Sequence, residues 1–238
     1  MPRIALITGG TRGIGFAIAS ALRDVGDQVV ITGTSDDSVR QALEAFGEKT
    51  DGSGAVSGTV CDVRQPAMVE RAVRDAVAQR GGLDVLVNSA GVGTGAPIDE
   101  LSLEDWQRII DTNLSGVFYC CKAAIPHLRQ RGGGWIINIS SLASTAPFVG
   151  GAAYCASKAG LNAFTEALMA EVRHDDIRVT LVLPGSVATG FSGRQATGGV
   201  DWKLQPDDVA RAVVDLLRHA PRSLPSRVDL RPSRPPRR

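Results

Sequence analysis

The chain is predicted to be an α/β protein built as one doubly wound domain, a parallel sheet of about seven strands with helices on both faces. Three observations predict this. Short β-branched apolar runs alternate with amphipathic helical stretches from end to end, the pattern of repeated strand–helix–strand units. Several runs, such as Ile4-Ala5-Leu6-Ile7, are apolar at every position, which suits strands covered on both sides. The first of them leads directly into a glycine-rich turn that opens a helix, Thr8-Gly9-Gly10-Thr11-Arg12-Gly13-Ile14-Gly15.

Strands are expected at 4–7, 29–32, 55–60, 85–87, 135–139, 179–183 and, on a weaker pattern, 227–230. Helical periodicity fills the intervals, first over 16–25 and most extensively over 103–128 and 152–173. No linker or repeat divides the 238 residues, a length that can bury a full core. Residues 1–230 are therefore expected to form one domain. The remainder, Arg231-Pro232-Ser233-Arg234-Pro235-Pro236-Arg237-Arg238, is rich in residues that neither helix nor sheet core accepts and is expected to be disordered at its end.

Composition narrows the function. With 43% hydrophobic and 21% charged residues the chain is ordinary for a soluble globular protein. A formal charge of +1 offers no general attraction to nucleic acid or acidic membrane. No apolar stretch reaches the length of a membrane span, and the start Met1-Pro2-Arg3 lacks the charged and apolar regions of a signal peptide, so a cytoplasmic location is expected. Cys61, Cys120, Cys121 and Cys155 do not have paired metal or redox spacing, and His127, His174 and His219 are scattered. No metal is expected.

The glycine turn sits where a dinucleotide-binding, Rossmann-type fold needs it. Glycines let the backbone turn tightly and approach a pyrophosphate, which rests on the N-terminus of the following helix. Gly9, Thr11, Arg12, Gly13, Ile14 and Gly15 are the candidate contacts. The cofactor follows from charge. The second strand ends Thr32-Gly33-Thr34-Ser35, without the carboxylate that would grip both ribose hydroxyls of NAD. Arg12, Thr34 and Ser35 together suit a 2′-phosphate, so NADP(H) is expected, with NAD(H) the less favoured alternative. Asp36 and Asp37 lie nearby but also suit the cap and first turn of a helix.

A second constellation carries reaction chemistry. Tyr154 and Lys158 are four residues apart in Tyr154-Cys155-Ala156-Ser157-Lys158, a spacing that shares one helix face. An ammonium beside a phenol favours the phenolate, bringing proton exchange toward neutral pH. The fifth strand delivers Ser140 and Ser141 at its carboxyl end, where ligands of such sheets bind. Asn113, in Asp111-Thr112-Asn113-Leu114, is an amide inside a helical stretch where it costs propensity.

The Gly-x-x-x-Gly-x-Gly spacing, the tyrosine–lysine pair and the length together resemble the short-chain dehydrogenase/reductase family in its compact single-domain branch, and are similar to its 3-oxoacyl-[acyl-carrier-protein] reductase-like members. The resemblance implies reversible hydride transfer between a nicotinamide and a ketone or secondary alcohol. It assigns Ser141, thirteen residues before Tyr154, to the substrate oxygen and leaves Ser140 as a structural neighbour. Tyr154 becomes the proton donor or acceptor, and Lys158 the group that binds ribose hydroxyls and lowers the tyrosine pKa. Asn113 holds a water beside the lysine. It also implies that Asp62 and Val63 meet the adenine, that Asn88, Ala90 and Gly91 (in Asn88-Ser89-Ala90-Gly91) border the cofactor, and that Pro184, Gly185, Val187 and Thr189 hold its carboxamide end.

Substrate and partners are less determined. Positions expected near the pocket (Gly93, Thr94, Ala146, Phe148, Ser186, Phe191) are small or apolar and favour a neutral or acyl ketone. The leading reading is a 3-oxoacyl thioester, the alternative a small ketone, polyol or sugar. A non-catalytic NADP-binding sensor is the reading from another class. An acyl carrier protein would need basic residues at the entrance, for which Arg129, Arg131 and Arg173 are candidates. The Gly- and Ser-rich segment between Gly190 and Leu204 suits a mobile cover over the pocket. The two long helices, with Gly116, Ala123, Ala159, Ala163 and Ala167, suit assembly as a homotetramer or homodimer.

Overall fold

The computed structural model describes residues 2–47, 54–191 and 201–236. Its strands are β1 (Ile4–Thr8), β2 (Gln28–Gly33), β3 (Val56–Val60), β4 (Val85–Asn88), β5 (Gly134–Ile139), β6 (Ile177–Pro184) and β7 (Arg227–Leu230). They form a parallel sheet in the order β3-β2-β1-β4-β5-β6-β7. Each predicted run lies within its strand, apart from Ala55, which just precedes β3. The chain winds outward through β2 and β3, then returns to place β4 beside β1. Loops leaving β1 and β4 therefore diverge, and a crevice opens at their carboxyl ends.

Helices α1 (Gly13–Asp24), α2 (Asp36–Ala45) and α7 (Pro206–Leu216) cover one face of the sheet, and α3 (Pro66–Arg80), α5 (Gly116–Gln130) and α6 (Ala152–Val172) the other. Strand alternation explains how one apolar run serves both faces. Ala5 and Ile7 pack with Ile18, Leu22 and Val213 on the first face, whereas Leu6 packs with Val73, Leu128 and Leu161 on the second. Ile7, Ile18, Leu22, Leu128 and Leu161 are fully buried, each contributing on the order of 1.5–3 kcal/mol.

The expected helix over 103–128 is not continuous. Helix α4 (Leu103–Ile110) runs into a π-helical turn, Asp111–Ser115, before α5 begins. Thr112 Oγ1 donates back to the carbonyl of Arg108 at 2.7 Å, a bond that competes with regular helical pairing. The widened turn leaves Thr112 and Asn113 buried. π-turns of this kind are frequent at functional sites.

A polar chain crosses the core. Register pairs Asn88 of β4 with Asn138 of β5, and Asn88 Nδ2 donates to Asn138 Oδ1 at 2.8 Å. Asn138 Nδ2 donates to Thr165 Oγ1 at 2.8 Å, and that hydroxyl donates to the carbonyl of Leu161 at 2.7 Å. Adjacent strands are thus tied to α6 inside an apolar layer, where an unmade hydrogen bond is expensive.

The tail after β7 lies outside helix and sheet, as its composition predicts. Through Pro236 it belongs to the described part of the chain, and Pro232 is half-buried; Arg237 and Arg238 lie outside the described residues.

Thr165→Val keeps the shape of the side chain but removes the acceptor of Asn138. It is expected to lower stability by about 1–3 kcal/mol in urea denaturation, with the slope against urea unchanged.

Candidate active site

The carboxyl ends of β1, β4, β5 and β6 bring the predicted groups together. At the glycine turn, a methyl added to Gly15 would lie 2.3 Å from the carbonyl oxygen of Gly9, and one on Gly9 2.8 Å from Cα of Ala90. Bare backbone is required at both positions. Gly13 has φ of +57°, and a methyl there would touch Thr189 at 3.4 Å. The β6 loop therefore rests against the turn that opens α1. Thr11 and Ile14 complete this turn, Ile14 packing on the core below. Arg12 is exposed and forms no ion pair among the described residues.

Thr8, at the last position of β1, is a buried brace whose hydroxyl accepts from the backbone N–H groups of Ser89 and Ala90 at 3.1 and 3.2 Å. It fixes the β4 exit loop against the glycine turn. A polar residue closing an apolar run was the available signal for this role.

Beyond β2, Thr34 and Ser35 sit at the start of α2. Ser35 caps it, its hydroxyl accepting from Ser38 N at 3.3 Å. Asp36 and Asp37 occupy the first helical turn, and Asp37 is paired with Arg40 at 2.7 Å. Asp36, at the first helical position, has no ion pair among the described residues. Beyond β3, Asp62 is gripped by Arg64 at 2.6 and 3.0 Å, which holds its carboxyl below the usual range. It does not cap α3, whose N-cap is Gln65. Val63 is buried, its side chain against Gly116 at the head of α5.

Asn88 lies at the last position of β4, beneath the crevice. It is buried and turned to Asn138 and Cys121, so it braces the strands beneath the site. Ala90 and Gly91 do border the crevice. A methyl on Gly91 would lie 3.4 Å from Asn113 Oδ1 and 3.8 Å from Lys158 Nζ.

The four reaction-chemistry candidates converge. Lys158 is buried, and its Nζ donates to the carbonyl of Ile139 at 2.8 Å. Tyr154 lies one helical turn earlier, with Lys158 Nζ 5.9 Å from its ring centroid. The Ser141 hydroxyl draws the pKa of the Tyr154 phenol downward and accepts from Ala143 N at 3.1 Å. Ser140 is structural, donating to Asn162 Oδ1 at 2.6 Å.

Asn113 is held on both sides of its amide. Its Oδ1 accepts from Val92 N at 2.9 Å, while Nδ2 donates to the carbonyl of Val92 at 2.9 Å and to Ser157 Oγ at 3.0 Å. Ser157 in turn donates to the carbonyl of Tyr154 at 2.8 Å. Ser157 is thus a positioning residue beyond the predicted set, a small polar side chain on an inward helical position between Tyr154 and Lys158.

The β6 loop carries Pro184, Gly185, Val187 and Thr189. Its base is closed by bonds from Ala188 N to the carbonyl of Leu204 at 2.8 Å and from Leu204 N to the carbonyl of Ser186 at 3.0 Å. Phe191 then reaches Tyr154, ring centroids 5.7 Å apart. Most of the expected cover, residues 192–200, lies outside the described residues.

Arg129, Arg131 and Arg173 do not border this crevice in the chain. They follow or end α5 and α6, at the amino edge of the sheet, where Arg129 pairs with Asp175 at 2.7 Å and Arg131 with Asp84 at 2.9 Å. Among the described residues no helix is long and apolar enough to cross a membrane.

Electrostatics correct one further expectation. Burial pushes the Tyr154 phenol above its ordinary value, and the Ser141 hydroxyl only partly opposes this. Lys158 directs its ammonium to Ile139 instead of the phenol. Its own pKa is brought down to about 8 from an ordinary 10.5 by burial. Below about pH 8 the folded chain carries a buried charge at full desolvation cost. Between about pH 8 and 10.5 the unfolded chain binds more protons than the folded one, so this penalty fades as pH rises. Lys158→Met is therefore expected to stabilise the cofactor-free chain below pH 8, by on the order of 3 kcal/mol at most. The advantage should vanish near pH 10.5. Thermal midpoints across pH check this; a difference that does not vary with pH would contradict it.

The geometry can be compared with known proteins. A sequence model described as short chain dehydrogenase matches residues 3–198. The chain is 36% identical over 225 residues to D-threitol dehydrogenase of Mycolicibacterium smegmatis, covering 90% of this chain and 85% of that protein. It is 36% identical over 190 residues to 3-oxoacyl-[acyl-carrier-protein] reductase FabG of Chlamydia muridarum, covering 80% and 76% respectively. Among solved structures, an alcohol dehydrogenase from Thermococcus sibiricus complexed with 5-hydroxy-NADP superposes with a TM-score of 0.87 at 29% identity, over 100% of both chains. With the family match spanning most of the fold and the crevice, this chain belongs to the short chain dehydrogenase family.

Proposed function

We propose that this oxidoreductase transfers hydride reversibly between NADP(H) and a ketone or secondary alcohol, with a 3-oxoacyl thioester as the favoured substrate. The observation that carries the reading is Tyr154 placed one helical turn from a buried Lys158 whose ammonium is anchored to the carbonyl of Ile139, at the end of the strand that leads into Ser141.

The crevice fits the cofactor on three counts. Its floor at Gly9, Gly13 and Gly15 is bare backbone that side chains would fill. Arg12 is exposed beside it, with Thr34 and Ser35 within the same rim. The end of β2 and the two residues after it, Gly33-Thr34-Ser35, offer no carboxylate, and Asp37 beyond them is paired with Arg40. Arg12, Thr34 and Ser35 would receive the 2′-phosphate, and Gly91 and Lys158 the nicotinamide ribose. The backbone of Gly185, Val187 and the Thr189 hydroxyl would meet the carboxamide. Bound NADPH supplies the hydride.

The protein residues then manage the proton. Burial keeps Tyr154 protonated at neutral pH, which suits a donor to the alkoxide formed in reduction. Ser141 would hold the substrate oxygen beside it. The amide of Asn113 is already committed to Val92 and Ser157, so a water beside Lys158 would be held by its main-chain carbonyl in the π-turn, a role for the backbone more than the side chain.

The rim supports an apolar substituent on the ketone. Phe191 faces Tyr154, and Ile98, Phe148 and Val149 are 69%, 54% and 100% exposed on loops tied by a bond from Ala96 N to the carbonyl of Gly150 at 3.0 Å. A polyol finds few partners on such a surface, although the likeness to a threitol dehydrogenase keeps a small-ketone, polyol or sugar substrate as the second reading. Recognition of an acyl carrier by the three arginines would have to involve another copy of the chain, because they lie across the sheet from this crevice. Exposed Ala159, Ala163 and Ala167 recur along one face of α6, and Phe118 of α5 meets Phe164 edge-on at 6.4 Å. These features support a homo-oligomer formed through α5 and α6.

NADPH oxidation should be faster with 3-oxoacyl thioesters than with a sugar and ketose panel, and Tyr154→Phe should retain NADPH binding while losing about 10²–10⁴-fold in turnover. Near-normal activity in that variant would sink the mechanism. Arg12→Ala should raise the KM for NADPH about tenfold and leave that for NADH nearly unchanged; equal effects on both cofactors would count against the phosphate contact.

A further inference from the structure

The tail that composition assigns to solvent is built against the site. Strand β7 places Leu230 opposite Pro184, and Gly185 N donates to the carbonyl of Leu230 at 2.8 Å. Two residues later the chain doubles onto the same glycine. A methyl on Gly185 would lie 3.0 Å from Cδ of Pro232 and 3.2 Å from Cδ1 of Leu142. Gly185 is thus wedged between the tail and the residue next to Ser141. Pro232 is half-buried while Arg231, Ser233 and Arg234 are exposed, so one ring of the tail makes the contact. Upstream, Asp229 is gripped by Arg227 at 2.7 Å and approached by Arg231 at 3.6 Å, fixing the approach of the tail. A proline has no N–H with which to continue β7 and a fixed φ, both of which suit a residue that ends the strand and presses on its neighbour.

We propose that Pro232 is a positioning residue for the cofactor site: it clamps the Pro184-Gly185 corner against Leu142, and so sets the β6 loop relative to Ser141 and Tyr154. The inference rests on the NADP(H) oxidoreductase reading. The clamp presses the loop after β6 onto the loop after β5, and small displacements of positioning groups weaken binding and turnover strongly.

The test uses the full chain with Pro232→Gly, Pro232→Val and a version ending at Arg231. NADPH affinity is read by fluorescence titration, KM and kcat by NADPH oxidation, and folding by the thermal midpoint without cofactor. Pro232→Gly and the shortened chain should bind NADPH about three- to tenfold more weakly, with KM raised more than kcat is lowered and the cofactor-free midpoint nearly unchanged. Pro232→Val, which keeps aliphatic bulk on Gly185, should recover most of the affinity. Unchanged affinity in both Pro232→Gly and the shortened chain would overturn the proposal. So would a loss of affinity matched by an equal loss of the folded fraction in all three variants. If the unaltered chain failed to bind NADPH, the oxidoreductase reading itself would fall, an outcome distinct from normal binding that ignores position 232.

Discussion

A buried ammonium donating to the last carbonyl of β5 is the contact on which the rest of the site depends. Lys158 is withdrawn from water and Ile139 accepts from it at 2.8 Å. Such a charge is tolerated only where an acceptor is fixed in place. Three further contacts hold α6 to the end of β5. The Ser140 hydroxyl meets both Asn162 and the carbonyl of Lys158, and Asn138 reaches Thr165 one layer below. With the helix held in both depth and rotation, Tyr154 has one place to be, facing Ser141.

The same logic runs through the nucleotide half of the crevice, where backbone contact replaces charge. Gly9 lies against Ala90, and Thr8 ties the N–H groups of Ser89 and Ala90 to the end of β1. The divergence of β1 and β4 supplies the gap, and these contacts keep its two walls in register. Asn113 extends the arrangement to a third element. It couples the loop after β4, through Val92, to α6, through Ser157. The π-turn is what lets an amide on a surface helix reach so far inward.

Much of this was legible in the sequence, for identifiable reasons. Buried parallel strands require near-continuous apolar runs, so the central strands announced themselves within a residue or two, while β7, alternately exposed, left only a weak pattern. Tyr154 and Lys158 needed only helical spacing to share a face. What escaped depended on tertiary neighbours. Asn88 finds Asn138 through strand register across fifty positions of chain, and nothing local names that partner. A π-turn of five residues has almost the apolar pattern of an α-helix. The Tyr154 phenol is raised because burial outweighs the opposing Ser141 hydroxyl, while the Lys158 ammonium is committed to Ile139. The location of Arg129 and Arg131 follows from the direction of α5, which composition does not reveal.

Gly33 shows how packing and electrostatics can act through one position. On charge alone, the absence of a carboxylate there favours a phosphorylated cofactor. The structure adds a steric reason: a methyl at Gly33 would stand 2.5 Å from Cγ2 of Thr11 and 2.8 Å from Oγ of Ser38. Any side chain at 33 would push on the glycine turn and on the first turn of α2 together. Introducing an acid to favour NAD would thus disturb Thr11, next to Arg12, and the capping of α2 by Ser35. Cofactor preference in this chain is therefore not a single-charge property. It is bound to the close approach of β2, the glycine turn and α2, and a side chain at Gly33 has to displace Thr11 and Ser38 as it brings its charge.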